Sequence, residues 1–340
     1  MVKDNEFDVI IAGGGVAGAA TAIRCRQSGL RCLMITGNLN PLDVLFQTTP
    51  SESVHPGAET LLNALGAFNL LAASCRGRYD GIATGNSVNF LGSDAHGKWQ
   101  GYHLDKPLFV KGLIAAALLS GTETLSNEKI TSLALGNGGR MVVKVSAGIT
   151  YQARYLIDAS GHSQIAGKIL NLKKSFYSPV LYCWTGLTSG ISDDVFSQLH
   201  TSFDMTRHGW QWLAPEDHQY CTWTTVSTLR NAHRPISPVA GNSFQSVHRN
   251  MRWRLYDKLA YEGIILCGDA AGILDPASGQ GLLMALMSGI QAAECVKLAF
   301  YSGRQTASIA KDYTDWFKGF YLKKMELLRS YYVHNGIFDD

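Results

Sequence analysis

The chain has 340 residues, with 30 Lys and Arg against 27 Asp and Glu, a formal net charge of +3 and a hydrophobic share of 46%. That length suits two domains, or one large domain carrying an insertion. The charged share of 17% is low and the hydrophobic share ordinary, which excludes a disordered chain, a collagen-like repeat and a highly charged nucleic-acid binder.

The chain opens with a continuous β-prone run, Phe7–Ala12, followed by Gly13–Gly18, a helical stretch Ala19–Ser28 ending at Gly29, and a second apolar strand, Arg31–Ile35. This is a βαβ unit, which places the first strand in a parallel sheet. Helices are expected at Ala58–Leu71 and Lys106–Leu119, with a polar loop at Arg76–Asp80 between them. Strands are expected at Met141–Val145, after the Gly136–Gly139 turn, and at Tyr151–Ile157. Ser178–Leu187 and Gln219–Leu229 alternate aromatic, β-branched and polar residues, as strands of a half-covered antiparallel sheet do. A strand at Gly263–Cys267 returns the chain to the first sheet, and Gly281–Tyr301 is helical. Aromatic residues at Tyr313, Trp316, Phe317 and Phe320 make one apolar helix face, which either covers the core or docks a partner or a membrane surface.

The 35 glycines concentrate near residues 13–18 and 263–289, as where backbone approaches a ligand closely. The seven cysteines are scattered without a CxxC, so neither a disulfide framework nor a metal site is expected, and a cytoplasmic location follows. Met1–Glu6 is polar, Phe7–Ala12 is too short for a signal peptide or a span, and the apolar stretch around Gly281–Ala293 is interrupted, so no membrane association is expected.

Gly13, Gly15 and Gly18 fit GxGxxG between a strand and a helix: a tight turn, close approach of a pyrophosphate, and close helix–strand contact. Val16 and Ala17 lie at the helix start, whose free N–H groups favour phosphate. The second strand of such a unit normally ends in Asp or Glu, but Thr36 stands there, with Asn38 or a loop group as substitutes. Exchanging a carboxylate for a hydroxyl costs about 1–3 kcal/mol, so a weakly held cofactor is expected. The second cluster runs from Gly268-Asp269 to Asp275-Pro276-Ala277-Ser278-Gly279-Gln280-Gly281. Its carboxylate can accept from sugar or ribityl hydroxyls, and its turn opens a helix.

With these two clusters and Asp158-Ala159-Ser160-Gly161, the sequence resembles the large class of FAD monooxygenases and their relatives. The resemblance implies an α/β fold: a Rossmann-type FAD-binding domain with an inserted antiparallel-sheet substrate domain, the p-hydroxybenzoate-hydroxylase-like architecture. It divides the chain into residues 1–79, 100–174 and 261–310 for FAD, 80–99 and 175–260 for substrate, and a C-terminal helical segment at 311–340. It also implies FAD rather than NAD, held by Gly13, Gly15, Val16, Ala17, Gly18, Thr36, Asp158 and Gly161. Lys106 stands where Arg is more usual, Asp269 faces the ribityl–pyrophosphate region, and Pro276, Gly279, Gln280, Gly281 and Leu282 face the flavin ring.

Within the class, Gly209–Pro215 (GWQWLAP) and Ser51–Pro56 (SESVHP) resemble elements of flavin-dependent halogenases. Against halogenation, the segment Tyr79–Ile82 lacks the lysine expected there, Ser278-Gly279-Gln280 replaces a Ser-Thr halide loop, and the chain is shorter than halogenases. The nearest resemblance is to flavoproteins that mature the tryptophylquinone enzymes lysine ε-oxidase and glycine oxidase. It implies a precursor quinoenzyme protein as partner, hydroxylated on a Trp side chain. No second GxGxxG unit and no paired cysteines occur, so electrons come from NAD(P)H or a separate flavin reductase. Oxygen chemistry on reduced flavin needs water excluded, so an open mouth closed by the docked partner is expected.

Glu52, His55 and Asp275 are the candidate acid–base residues, each weighed against an ordinary loop or turn role. Trp210 and Trp212 share a strand face and either line a substrate cavity or pack in the core, and His162 reads as merely exposed. A small-molecule aromatic hydroxylase, a geranylgeranyl-reductase-like flavin reductase and a non-catalytic flavin-fold binding module or chaperone are the alternatives.

Overall fold

The computed structural model describes residues 5–37, 49–189, 200–216, 220–229, 242–261 and 263–339, so Asn38 lies outside the described residues. An eight-stranded sheet forms the base. Its parallel part runs Glu123–Leu125, Cys32–Ile35, Glu6–Ala12, Thr150–Asp158 and Ile264–Leu266. Val9, Ile10 and Ile11 are wholly buried, as a strand covered on both faces requires. The register pairs Ala12 with Ile35 and Asp158, and Asp158 with Leu266. The parallel strands therefore end together, and the segments after them open on one carboxyl edge, where doubly wound sheets bind ligands.

Small residues let the helices sit close to this sheet and to each other. In the first helix, Val16–Gln27, Ala19, Ala20 and Ala22 are fully buried. A Cβ on Gly18 would lie 1.9 Å from the Gly13 carbonyl oxygen. The helix Gly281–Tyr301 is long and apolar enough to cross a membrane by length and composition, with a mean hydropathy of 1.4. Here it packs on the first helix instead: Thr21 Oγ1 donates to the Gly289 carbonyl at 3.0 Å, and a Cβ on Gly289 would lie 2.4 Å from the Ala17 carbonyl oxygen.

The second sheet has seven strands in the order Asn242–Asn250, Tyr182–Ser189, Tyr220–Ser227, Gly209–Pro215, His200–Thr206, Gly81–Thr84, Ser87–Phe90. It departs from the expected antiparallel sheet at one place, since His200–Thr206 and Gly81–Thr84 pair in parallel. The excursion through residues 80–99 enters the sheet beside a strand that is not its chain neighbour, so no hairpin dictates the direction. The boundary expected at residue 260 is also crossed: Arg254–Tyr256 pairs with Lys174–Phe176 and Gly272–Ile273 in a sheet of its own.

A three-stranded sheet, Glu52–Val54, Gly101–Leu104 and Cys75–Tyr79, joins the two large ones. Arg76–Asp80 is thus largely strand, its polar side chains being used in ion pairs rather than turned to solvent. The helix expected over Ala58–Leu71 is two, Ala58–Ala64 and Asn69–Ser74, because Gly66 takes φ +70 and ends the first.

The last helix, Thr306–His334, buries Tyr313, Phe317, Tyr321, Met325, Leu328 and Tyr332. Tyr313 and Tyr321 donate to the carbonyls of Leu266 and Ile273 at 2.7 and 3.0 Å. The aromatic face is spent inside the monomer, so it is core and not a docking surface. The C-terminal helical segment at 311–340 thus packs on the cofactor layer.

Two outcomes follow. Gly289→Ala forces a methyl group into Ala17 and is expected to cost about 1–3 kcal/mol of unfolding free energy, read from urea denaturation. His103, in the joining sheet, is buried and neutral, its imidazole pushed down by burial from 6.5 to about 3. The unfolded chain protonates it below its ordinary value, so its contribution is complete above pH 6.5 and is lost as pH falls toward 3. His103→Asn should flatten that part of the stability profile.

Candidate active site

The common edge brings the two glycine clusters together. A Cβ on Gly13 would lie 2.5 Å from the Ala159 carbonyl oxygen, and one on Gly268 would lie 3.2 Å from Ala17 Cβ. No side chain caps the first helix, and a Cβ on Gly15 would meet nothing within 4 Å. The N–H groups of Val16, Ala17 and Gly18 therefore open a positive helix end toward free space, which a pyrophosphate fits. Thr36 does not face that space as a carboxylate substitute. Its hydroxyl donates to the Leu125 carbonyl at 3.3 Å, and its methyl group fills the place a Cβ on Gly14 would need. Asp158 is likewise internal: it accepts from Ser160 N at 3.0 Å and Ala166 N at 2.7 Å. It shapes the turn in which Gly161 takes φ +60, and offers no free oxygen to a ligand.

Four charged or titratable side chains line the opening. Lys106 Nζ pairs with Glu52 Oε2 at 2.5 Å, and His162 Nε2 lies 3.5 Å from Asp269 Oδ2. A Cβ on Gly281 would lie 4.0 Å from Glu52 Oε1, so Glu52 reaches the start of the second glycine helix. The side chains of Glu52, Lys106, His162 and Asp269 are 30%, 46%, 33% and 43% exposed, a crevice open to solvent. The Glu52 charge holds the Lys106 ammonium above its ordinary range. Burial in the crevice pushes Asp269 up, and Lys106 opposes this. Burial brings His162 down to about 4, aided by Arg249, Arg254 and Lys106, so its ring is neutral at neutral pH. His162, Arg249 and Arg254 were not expected here. The signal for His162 was its place directly after the turn that ends a parallel strand.

Lys106 is placed by its neighbours. Asp105 caps the helix Lys106–Leu119 by accepting from Leu108 N at 3.0 Å. Arg76 binds Asp105 and lies 3.7 Å from the buried Glu216 Oε2, so one guanidinium ties the helix start to the end of the Gly209–Pro215 strand.

The turn before the second helix also fits a flavin. Gly279 takes φ +60, Pro276, Gly279 and Gly281 are exposed, and the helix Gly281–Tyr301 has no side-chain cap. Gln280 Oε1 is buried with no partner among the described residues, an acceptor waiting for a donor. Leu282 turns into the core.

Asp275 is not a candidate acid or base. It is 0% exposed, and its oxygens accept from Ala277 N, Trp253 Nε1 and Tyr332 OH. His55 Nδ1 accepts from Gly57 N at 3.0 Å, and burial and Lys324 hold the ring below its ordinary value. Trp210 is core, donating to Tyr332 OH at 2.6 Å, while Trp212 is half-buried beside Phe203. Near Tyr79–Ile82, Lys98 Nζ comes 3.8 Å from Asp80 Oδ2, whose other oxygen meets His200 Nδ1 at 2.8 Å. A lysine does reach that segment, from the neighbouring hairpin.

The Glu52–Lys106 pair is half in solvent and contributes at most about 1 kcal/mol to stability. Lys106→Met should leave the melting temperature almost unchanged and raise the FAD dissociation constant about tenfold, measured by quenching of flavin fluorescence. With Thr36 turned away, purified protein should lose most of its yellow colour on desalting and regain it on titration with FAD.

A model of the tryptophan halogenase family matches residues 88–336, and one of an FAD binding domain matches residues 8–40. The 1H-pyrrole-2-carbonyl-[peptidyl-carrier protein] brominase of Pseudoalteromonas luteoviolacea is 24% identical over 98% of this chain and 87% of its own. Digeranylgeranylglycerophospholipid reductase 1 of Methanosphaera stadtmanae is 21% identical over 91% and 80%. The flavin-dependent brominase Bmp2 superposes with a TM-score of 0.79 at 21% identity, over 98% of this chain and 88% of its own. The peptidyl tryptophan dihydroxylase QhpG, essential for tryptophylquinone cofactor biogenesis, does so at 0.74 and 16% identity, over 98% and 77%. These superpositions show a shared fold. They also correct one expectation, because the chain covers nearly all of this brominase and is not far shorter than every halogenase. The cofactor is FAD, the protein is a flavin-dependent enzyme, and with more than half of its length inside the match the chain belongs to the tryptophan halogenase family.

Proposed function

We propose that the protein is a monooxygenase that hydroxylates a Trp side chain of a precursor protein during tryptophylquinone formation. It acts in the cytoplasm with electrons from NAD(P)H or a flavin reductase. The observation that carries this reading is the open crevice, whose four titratable side chains all reach solvent while the last helix packs its aromatic face into the core. A docked protein surface covers the crevice. The likeness of the whole chain to a peptidyl tryptophan dihydroxylase supports it at the level of the fold.

Reduced FAD, when bound, supplies activated oxygen for attack on an electron-rich ring. The chain's own residues do the rest. The uncapped start of Val16–Gln27 would hold the phosphates, and the uncapped start of Gly281–Tyr301 with Gln280 would hold the flavin ring. Glu52 and Asp269 are the carboxyls placed to hold or move a proton at the crevice, with Lys106 steadying the charge of both.

Halogenation is the second reading, favoured by Lys98 at Asp80 and by the family itself. Both are tested by co-expressing the chain with precursors of quinoenzymes, with and without bromide, and weighing their Trp-containing peptides. One added oxygen on a Trp, only when the chain is present, is the expected result. A bromine-bearing peptide establishes halogenation instead, and unmodified precursors with rapid bromination of a small pyrrole or phenol end the proposal.

A further inference from the structure

Beneath the flavin turn lies a buried polar hub that the chemistry above does not use. Asp275 Oδ1 accepts from Ala277 N at 2.8 Å and so caps the short helical turn Pro276–Ser278. Asp275 Oδ2 accepts from Trp253 Nε1 at 2.6 Å and from Tyr332 OH at 2.9 Å. Tyr332 OH in turn accepts from Trp210 Nε1 at 2.6 Å. A hydroxyl has one proton to give, and here it goes to the carboxylate while a lone pair takes the indole N–H, so each bond polarises the next. Trp253 meets Tyr332 edge-on at 5.4 Å, and Phe338 stacks on Tyr332 at 4.4 Å, which closes the hub from water.

The hub joins four parts of the chain: the flavin turn, the segment leading to Arg254, the substrate sheet at Trp210, and the end of the last helix. We propose that Tyr332 is a positioning residue for the cofactor, holding the Pro276–Gln280 turn in its flavin-binding shape through Asp275 and tying that shape to the substrate sheet through Trp210. Without the hydroxyl, Asp275 loses one of its side-chain donors inside an apolar cage, and the carboxylate draws the turn out of place to recover a partner. Gly279, at φ +60 and exposed, is the element that yields.

The proposal rests on FAD occupying this turn and not on the identity of the substrate. Tyr332→Phe removes the hydroxyl and keeps the ring, and Phe338→Leu trims the same cage without touching a hydrogen bond. Full-length proteins are titrated with FAD by fluorescence quenching and melted without it. Tyr332→Phe should raise the dissociation constant about tenfold, while Phe338→Leu lowers the melting temperature by a similar amount and changes the constant less than about twofold. If Tyr332→Phe does not fold, Trp210→Phe, which cuts the outer link, should raise the constant about threefold. An unchanged constant in the folded hydroxyl variant, or equal weakening by Phe338→Leu, overturns the proposal. Failure of the unaltered protein to take up FAD overturns the cofactor assignment instead.

Discussion

The close approach of two helices is the constraint on which the site depends. Val16–Gln27 and Gly281–Tyr301 touch backbone to backbone where Gly289 meets Ala17, and Thr21 binds the Gly289 carbonyl across the contact. A side chain at Gly289 would push the helices apart and carry the start of each away from the other. Both helices begin at the same sheet edge, so their spacing sets the distance between the end that receives phosphates and the end that faces a ring. Parallel register places the strand ends, and glycine places the helices on them.

Electrostatics divides into a wet part and a dry part. Glu52, Lys106, His162 and Asp269 lie in an open crevice, where their charges trade with solvent and with whatever binds. Arg76, Asp105 and Glu216 form a half-buried brace behind them, and Asp275 is sealed among aromatic rings. The dry groups are satisfied by neighbours, so they hold shape. The wet groups pair with one another within reach of Arg249 and Arg254, and they are the ones free to do chemistry.

Much of this layout could be read from the residues in order. Phe7–Ala12 with its glycines, and Gly268-Asp269 with the turn after it, located the sheet edge and the cofactor because strand–glycine–helix patterns are local. What lay beyond reading was decided by partners distant in the chain. Asp275 reads equally as an acid–base carboxyl or as a turn-former before a proline; it does form the turn, and only the folding-back of the last helix shows that Tyr332 claims its other oxygen. Thr36 reads as a weak substitute for a carboxylate, yet the neighbouring strand takes its hydroxyl altogether. His162 looks incidental until Asp269 arrives beside it. The parallel pairing of Gly81–Thr84 was equally hidden, since no turn connects it to His200–Thr206.

The place of Tyr332 has a consequence for how damage spreads. The hub under the flavin turn is completed by Tyr332, which reaches Asp275 across 57 residues of chain, and by Phe338 stacked upon it. The turn is thus held from beneath by a helix whose other aromatic side chains pack on the sheet. A change that loosens this helix, even far from the crevice, reaches the chromophore as well as the core.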